Sequence, residues 1–245
     1  MVTHHRALDD ACLIISSLKK NTGLPVSGLL SPTVMKKGDL ERIRDAGADR
    51  VSIAIDAVTP DLFEKHRGKG VGGPHRWETF MQSLEHAVAV FGPYMVGVHL
   101  IVGLGETEEQ MISLIDEAYR MKVLTHLFSF FPESGSILES HPQPPLDQYR
   151  RVQLARYLIN ENIVALDAIK FTTTGSVVDF GVDTEPYVAR GFPFMTSGCP
   201  DADGNLACNR PFGNERASEP MRNYPFLPSK EDIAAIRNQL GFRTS

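Results

Sequence analysis

Apolar residues recur along the first two thirds of the chain with two alternating periods. Leu8, Ala11, Ile15 and Leu18 fall at helical spacing and run into a helix-stop sequence at residues 21–23. A short apolar run follows at 26–30. A second helix is predicted from Asp39, with Leu40, Ile43 and Ala46 on one face and Gly47 ending it. Residues 51–55 read as a strand. Trp77, Phe80, Leu84, Ala87 and Phe91 then make a third helix, closed by Gly92 and Pro93. The next strand is 96–102, and Thr107 with Gln110 three positions on forms a capping box for a helix carrying Met111, Leu114, Ile115 and Ala118 inward. A fourth strand at 124–131 and a helix through Tyr149, Val152, Ala155 and Leu158 complete the pattern.

Strands separated by helices of this length imply βαβ crossovers and a parallel sheet. Such strands are buried on both faces, which accounts for their nearly continuous apolar runs. The tail reads differently. Strand signals shorten (176–180), Pro, Gly and Asn become frequent over 192–228, and a last helix is predicted at 230–240. The domain expectation is therefore an α/β part over 1–163 and a C-terminal extension over 164–245.

Composition narrows the class. The 245 residues are 42% hydrophobic and 22% charged, which excludes disorder and coiled coils. Twenty-five basic against 30 acidic side chains leave −5, against nucleic-acid binding. No apolar run approaches the roughly 20 residues that span a bilayer. Three cysteines are too few for a disulfide framework and point to a reducing compartment, so a cytoplasmic α/β protein is expected.

Ligands of parallel α/β sheets bind at the carboxyl ends of strands. Alternation over 51–56 sends Val51, Ile53 and Ile55 to one face and Ser52, Ala54 and Asp56 to the other. Asp56 is thereby a candidate acceptor for ligand hydroxyls, the alternative being a cap for the turn at Thr59 and Pro60. Gly103, Gly105 and Glu106 lie between a strand and a capped helix, where glycines let backbone approach a ligand. His99 shares the face of Gly97 and Ile101, as a buried core histidine or a ligand. The loop Arg67-Gly68-Lys69-Gly70 suits an anion, or is simply solvated. Cys12 falls within an amphipathic helix and reads as core filler. Cys199 and Cys208, each followed closely by proline, suit iron–sulfur or zinc ligation but need further ligands.

Taken together, Ile101 to Thr107, the strand ending at Asp56, the Arg67-Gly68-Lys69-Gly70 loop and the tail around Cys199, Cys208-Asn209-Arg210-Pro211 and Arg222-Asn223-Tyr224-Pro225 resemble the radical S-adenosylmethionine enzymes of the biotin synthase and lipoyl synthase type. The tail is most similar to the two-component lipoyl synthases. The resemblance implies a partial (β/α) TIM-like barrel with an irregular C-terminal tail. It implies S-adenosylmethionine held beside Asp56, Ile101, Gly103, Gly105, Glu106 and Arg67, a [4Fe–4S] cluster on a CxxxCxxC loop, and an auxiliary sulfur-donating cluster at Cys199 and Cys208. The implied reaction is sulfur insertion converting an octanoyl chain to lipoyl on the lysine of a carrier protein.

No CxxxCxxC occurs in the sequence. The strands that should carry it are missing from the pattern, so the expectation is the C-terminal portion of a lipoyl synthase-like protein, lacking the first strands of its barrel. A non-catalytic partner of a complete radical S-adenosylmethionine subunit and a biotin synthase-like sulfurtransferase are the alternatives. An ordinary barrel lyase using Asp56, His99 and Glu106 as acid/base groups is a third.

Overall fold

The computed structural model describes residues 4–200, 206–208 and 218–241. Elements follow in the order α1 (Arg6–Thr22), β1 (Ser27–Leu30), α2 (Asp39–Asp45), β2 (Arg50–Asp56), α3 (Pro60–His66), α4 (Trp77–Phe91), β3 (Val96–Val102), α5 (Glu108–Arg120) and β4 (Val123–Ser129). Then come α6 (Leu146–Asn160), β5 (Lys170–Phe171), β6 (Val177–Asp179), α7 (Glu185–Arg190), β7 (Cys199–Pro200), β8 (Leu206–Cys208) and α8 (Lys230–Leu240). The chain divides into two compact units, each assembled from separate stretches of sequence. The first comprises Met1–Leu100, Ala118–His126 and Gly198–Cys208, and the second Ile101–Glu117, Leu127–Ser197 and Asn209–Ser245.

The first unit is built on a parallel sheet of order β1-β2-β3-β4, the expected α/β arrangement. Val51, Ile53 and Ile55 are wholly buried, and α4 packs against this strand with Phe80, Leu84 and Ala87 turned inward. Phe63 of α3 closes the layer edge-on against Phe80 (5.1 Å) and Trp77 (5.8 Å). At the carboxyl end of β2 the ladder to β3 slips. Ala54 pairs with His99 but Asp56 pairs with Leu100, so two steps on β2 oppose one on β3. Asp56 there takes a left-handed backbone, φ 67°. β7 and β8 form a two-stranded antiparallel ribbon in which Cys199 lies opposite Cys208.

The helices predicted from periodicity are present, with α4 at its predicted bounds and α1 ended by Gly23 in the left-handed region. Two parts of that reading are corrected. Cys12 is half-buried rather than core, and Leu18 is 46% exposed, because of the predicted apolar stripe of α1 only Leu8 and Ile15 are buried. The Thr59-Pro60 turn opens a helix instead of a loop. Thr59 caps α3 by accepting from the Leu62 amide, with Pro60 in the first turn where no donor is required.

In the second unit α6 buries Tyr149, Val152, Leu154, Ala155 and Leu158 and packs on α8 and on the short helical turn Phe192–Phe194. Arg150 is fully buried at the centre of this layer. Its guanidinium donates to the side-chain oxygens of Gln153 and Gln239 and to the carbonyls of Met221 and Arg222, and lies over the rings of Phe194 and Tyr224. One cation thus replaces water for four acceptors and fastens residues 221–224 to the helix.

Candidate functional site

A cavity of about 400 Å³ opens in the first unit where β1 and β2 end. That volume lies within the range of small-molecule sites. Its walls are mostly apolar, from Leu8 and Ala11 of α1, Leu29 and Leu30 of β1, and Val34 and Met35 beyond it. Three polar residues interrupt them: Ser31, Asp56 and Arg67. A wall of this kind excludes water from a bound molecule while a few fixed groups orient it.

Arg67 comes from the C-terminus of α3 and is only 8% exposed. Of the two readings of its loop, anion capture or simple solvation, the inward turn of Arg67 onto a carboxylate departs from the solvated one. Arg67 donates to the Asp56 carboxylate at 2.6 Å and to the Ala54 carbonyl, with its guanidinium 5.2 Å from the Phe80 ring centre. Burial pushes the Asp56 carboxyl up from its usual value, with the adjacent guanidinium working against that rise. The same burial lowers Arg67, opposed by Asp56. The pair is therefore poised: Asp56 keeps an acceptor on the cavity wall while Arg67 neutralises it from behind.

Two further residues of this region were not visible in the sequence pattern. The Ser31 hydroxyl oxygen is buried, borders the cavity and has no hydrogen-bond partner among the described residues. Such an atom is normally satisfied, so it marks a position where a ligand group completes the bond. His75 is 5% exposed and 2.5 Å from the Thr33 hydroxyl. Burial first, then Arg67 and Arg76, lower its basicity. Neither residue shows periodicity or a motif, and only the fold brings them near Arg67.

A smaller pocket of about 90 Å³ lies at the opposite ends of the strands, bordered by Ser52, Gly97, Leu124, His126 and Gly198 among others. Gly97 is needed here for space. A Cβ at that position would stand 2.6 Å from His126 Nε2 and 2.7 Å from Ser52 Oγ. His99, placed by alternation on the same face, has its ring centre 5.3 Å from that of His126 in an edge-on contact.

The remaining expected cofactor residues belong to the second unit. Gly103 and Gly105 both have positive φ, 105° and 113°, which explains their glycine identity. Glu106 is 7% exposed, and its two carboxylate oxygens accept from the amides of Gly103 (2.6 Å) and Leu104 (2.9 Å). Its carboxylate therefore closes its own turn. Burial raises its pKa, with those amides pulling the other way. His141 Nε2 lies 2.8 Å from the Gly103 carbonyl, and Ile101 is half-buried in β3. The capping box is present in both directions between Thr107 and Gln110.

Cys199 and Cys208 are placed by the backbone of the β7–β8 ribbon alone. Among the described residues no group of three or more His, Cys, Asp or Glu side chains is set to hold a metal ion. Nor is any described helix long and apolar enough to cross a membrane.

Comparison with known proteins gives one family match and several distant relatives. Residues 2–118 match the family model described as the Radical SAM superfamily. The chain is 22% identical over 127 residues to a GTP 3',8-cyclase of Staphylococcus carnosus, covering 52% of this chain and 35% of that protein. It is 25% identical over 138 residues to the mitochondrial GTP 3',8-cyclase of Arabidopsis thaliana, covering 55% and 32%. A 7,8-didemethyl-8-hydroxy-5-deazariboflavin synthase of Methanopyrus kandleri is 26% identical over 144 residues, covering 53% and 40%. The chain thus spans about a third to two fifths of the length of these curated relatives. The match agrees with the superfamily expected from the sequence, and these relatives carry names other than lipoyl synthase.

Proposed function

We propose, for a chain whose residues 2–118 match the radical SAM superfamily model, that the cavity at the ends of β1 and β2 binds S-adenosylmethionine. The observation that carries this reading is the buried Ser31 hydroxyl, without a hydrogen-bond partner among the described residues, beside the Asp56–Arg67 pair in a mostly apolar cavity of about 400 Å³. Asp56 accepts from ribose hydroxyls, Arg67 fixes the Asp56 carboxylate, and Ser31 supplies one further hydrogen bond. The apolar wall from α1 and β1 receives the uncharged faces of the molecule. When bound, S-adenosylmethionine supplies a sulfonium carbon–sulfur bond for reductive cleavage.

The three cysteines stand at 12, 199 and 208, and this set does not fit the CxxxCxxC-held [4Fe–4S] cluster. No radical step is therefore assigned to these residues. A paired radical S-adenosylmethionine subunit carrying the motif is the partner proposed to supply that cluster. The finer reading is sulfur insertion of the lipoyl synthase type on an octanoylated carrier protein, with a biotin synthase-like sulfur transfer as its nearest alternative. Its supports are the tail sequence around Cys208-Asn209-Arg210-Pro211 and the opposed register of Cys199 and Cys208, candidate holders of an auxiliary iron–sulfur group.

Equilibrium dialysis with labelled S-adenosylmethionine tests the binding step. Saturable binding is expected, weakened by about tenfold in Ser31→Ala, as suits one lost buried hydrogen bond. Absence of saturable binding, or a Ser31→Ala protein that binds like the parent, overturns the assignment. The sulfur-insertion reading is checked by the mass of an octanoylated carrier incubated with this chain and the motif-bearing subunit, where gain of two sulfurs is expected.

A further inference from the structure

The segment that carries Ser31 has little of its own to hold it. Residues 31–35 wrap one short helical turn, Pro32–Val34, in which the Val34 amide donates to the Ser31 carbonyl at 3.4 Å and the Met35 amide to that of Pro32 at 3.0 Å. The Ser31 hydroxyl does not cap this turn. Ser31, Val34 and Met35 border the cavity, whereas the central residue, Thr33, is fastened away from it, with its hydroxyl 2.5 Å from His75 Nδ1.

His75 is placed in turn by the glycine loop after α3. A Cβ on Gly68 would stand 2.6 Å from Glu64 Oε2, and one on Gly73 would run into the Arg67 carbonyl, so the two glycines let the chain fold back on the end of that helix. The Gly73 amide closes the fold-back by donating to the Gly68 carbonyl at 2.8 Å. The His75 ring then meets Phe80 edge-on, 5.5 Å between centres, and Phe80 carries the Arg67 guanidinium. Burial first, then the charges of Arg67 and Arg76, keep the imidazole uncharged at neutral pH. Both polar edges of the cavity are therefore joined behind its wall. Asp56 is linked through Arg67 and Phe80, and the 31–35 turn through Thr33, to the same imidazole.

We infer that His75 is a positioning residue of this cavity, holding the 31–35 turn through Thr33 so that the Ser31 hydroxyl meets the bound molecule. The inference rests on the reading of the cavity as a site for S-adenosylmethionine, and adds a residue that is not part of its lining. Because His75 acts through Ser31, the affinity it secures cannot exceed what Ser31 supplies, and its contribution vanishes once the Ser31 hydroxyl is gone.

A double-mutant cycle on the binding of labelled S-adenosylmethionine to the full chain tests this. His75→Phe keeps a ring against Phe80 and removes Nδ1, while Thr33→Val keeps the branched shape and removes the hydroxyl. Each is expected to weaken binding by about fivefold, the scale of one hydrogen bond. His75→Asn, whose amide can stand where Nδ1 does, and Thr33→Ser are expected to bind like the parent. In a Ser31→Ala background neither His75→Phe nor Thr33→Val should weaken binding further. A histidine that merely stabilises the fold would weaken binding alike in both backgrounds. That result, or a His75→Phe protein that binds like the parent, overturns the inference. A second measurement needs no ligand: the Val34 and Met35 amides should exchange about fivefold faster in His75→Phe. If the parent shows no saturable binding, the S-adenosylmethionine reading fails, yet faster exchange would still identify His75 as the holder of the turn. Unchanged exchange removes that role as well. Far-UV circular dichroism of each variant checks that the fold is kept.

Discussion

Replacing Arg67 with methionine keeps an unbranched apolar stem against Phe63 and Phe80 and removes the cation that Asp56 holds at 2.6 Å. The Asp56 side chain is 26% exposed and that of Arg67 only 7%, so the carboxylate left behind is mostly, but not wholly, cut off from water. An orphaned, fully buried charge costs about 3–5 kcal/mol. Partial exposure brings the expected loss to about 2–3 kcal/mol at neutral pH. With a urea slope of about 2–3 kcal/mol per molar, the unfolding midpoint should fall by about 1 M.

The penalty has a pH signature. Burial already raises Asp56 above its usual 3.8, and the variant loses the charge that opposes this rise. Folded Asp56 then holds its proton to higher pH than the unfolded chain does. Stability of the variant therefore falls as pH rises from about 4 through the raised folded value, and its gap to the parent narrows in acid. Adding Asp56→Asn removes the charge and should restore most of the loss. A loss below about 0.5 kcal/mol at pH 7.5, well under the cost of an orphaned buried charge, would refute the reasoning. So would a double variant no more stable than Arg67→Met.

Gly97→Ala should destabilise by about 1–3 kcal/mol through collision with His126 and Ser52, with part recovered in a Ser52→Ala background, read by urea unfolding. Glu106→Ala strips two charge-assisted acceptors from the 103–104 turn. Amide exchange at Gly103 and Leu104 should accelerate by about thirtyfold, corresponding to a loss of about 2 kcal/mol locally. Burial would raise the Asp39 carboxyl, but the Lys36 amide, Arg42 and His5 outweigh it and hold it below its usual 3.8. Its stabilisation is thus present above about pH 4 and lost as pH falls through the lowered folded value. Asp39→Asn should remove that part of the acid limb in a plot of thermal midpoint against pH.

Periodicity located most of the sheet and its long helices because each has a wide buried face. Trp77–Phe91, with Phe80, Leu84 and Ala87 inward, is the plainest case. Alternation also put Asp56 with Ala54, and both border the cavity. Short elements escaped. The seven residues of α3 complete under two turns, and their only signal was a Thr-Pro start. The Arg67-Gly68-Lys69-Gly70 sequence is equally consistent with an anion-binding loop and a solvated one. The inward turn of Arg67 depends on Asp56, 11 positions earlier, and on the Phe63 and Phe80 rings, which no local pattern announces. Glu106 looked like a ligand contact, yet its distance of three residues from Gly103 is what lets it close the turn itself. Ser31, His75 and His126 became notable only through what the fold sets beside them.

The slipped pairing at the end of β2 ties chain length to chemistry. Because Ala54 and Asp56 face consecutive residues of β3, residue 55 is in effect an insertion carried by one strand alone. Deleting it would give a more regular ladder, and the extra hydrogen bonding of an even register would favour the shorter strand. The shortened strand would reverse the parity of everything after Ala54, carrying the carboxylate to the helix-covered side where Ile55 now sits. Arg67 would then guard an empty place. The acidic position in this cavity is thus a matter of counting as much as of residue identity.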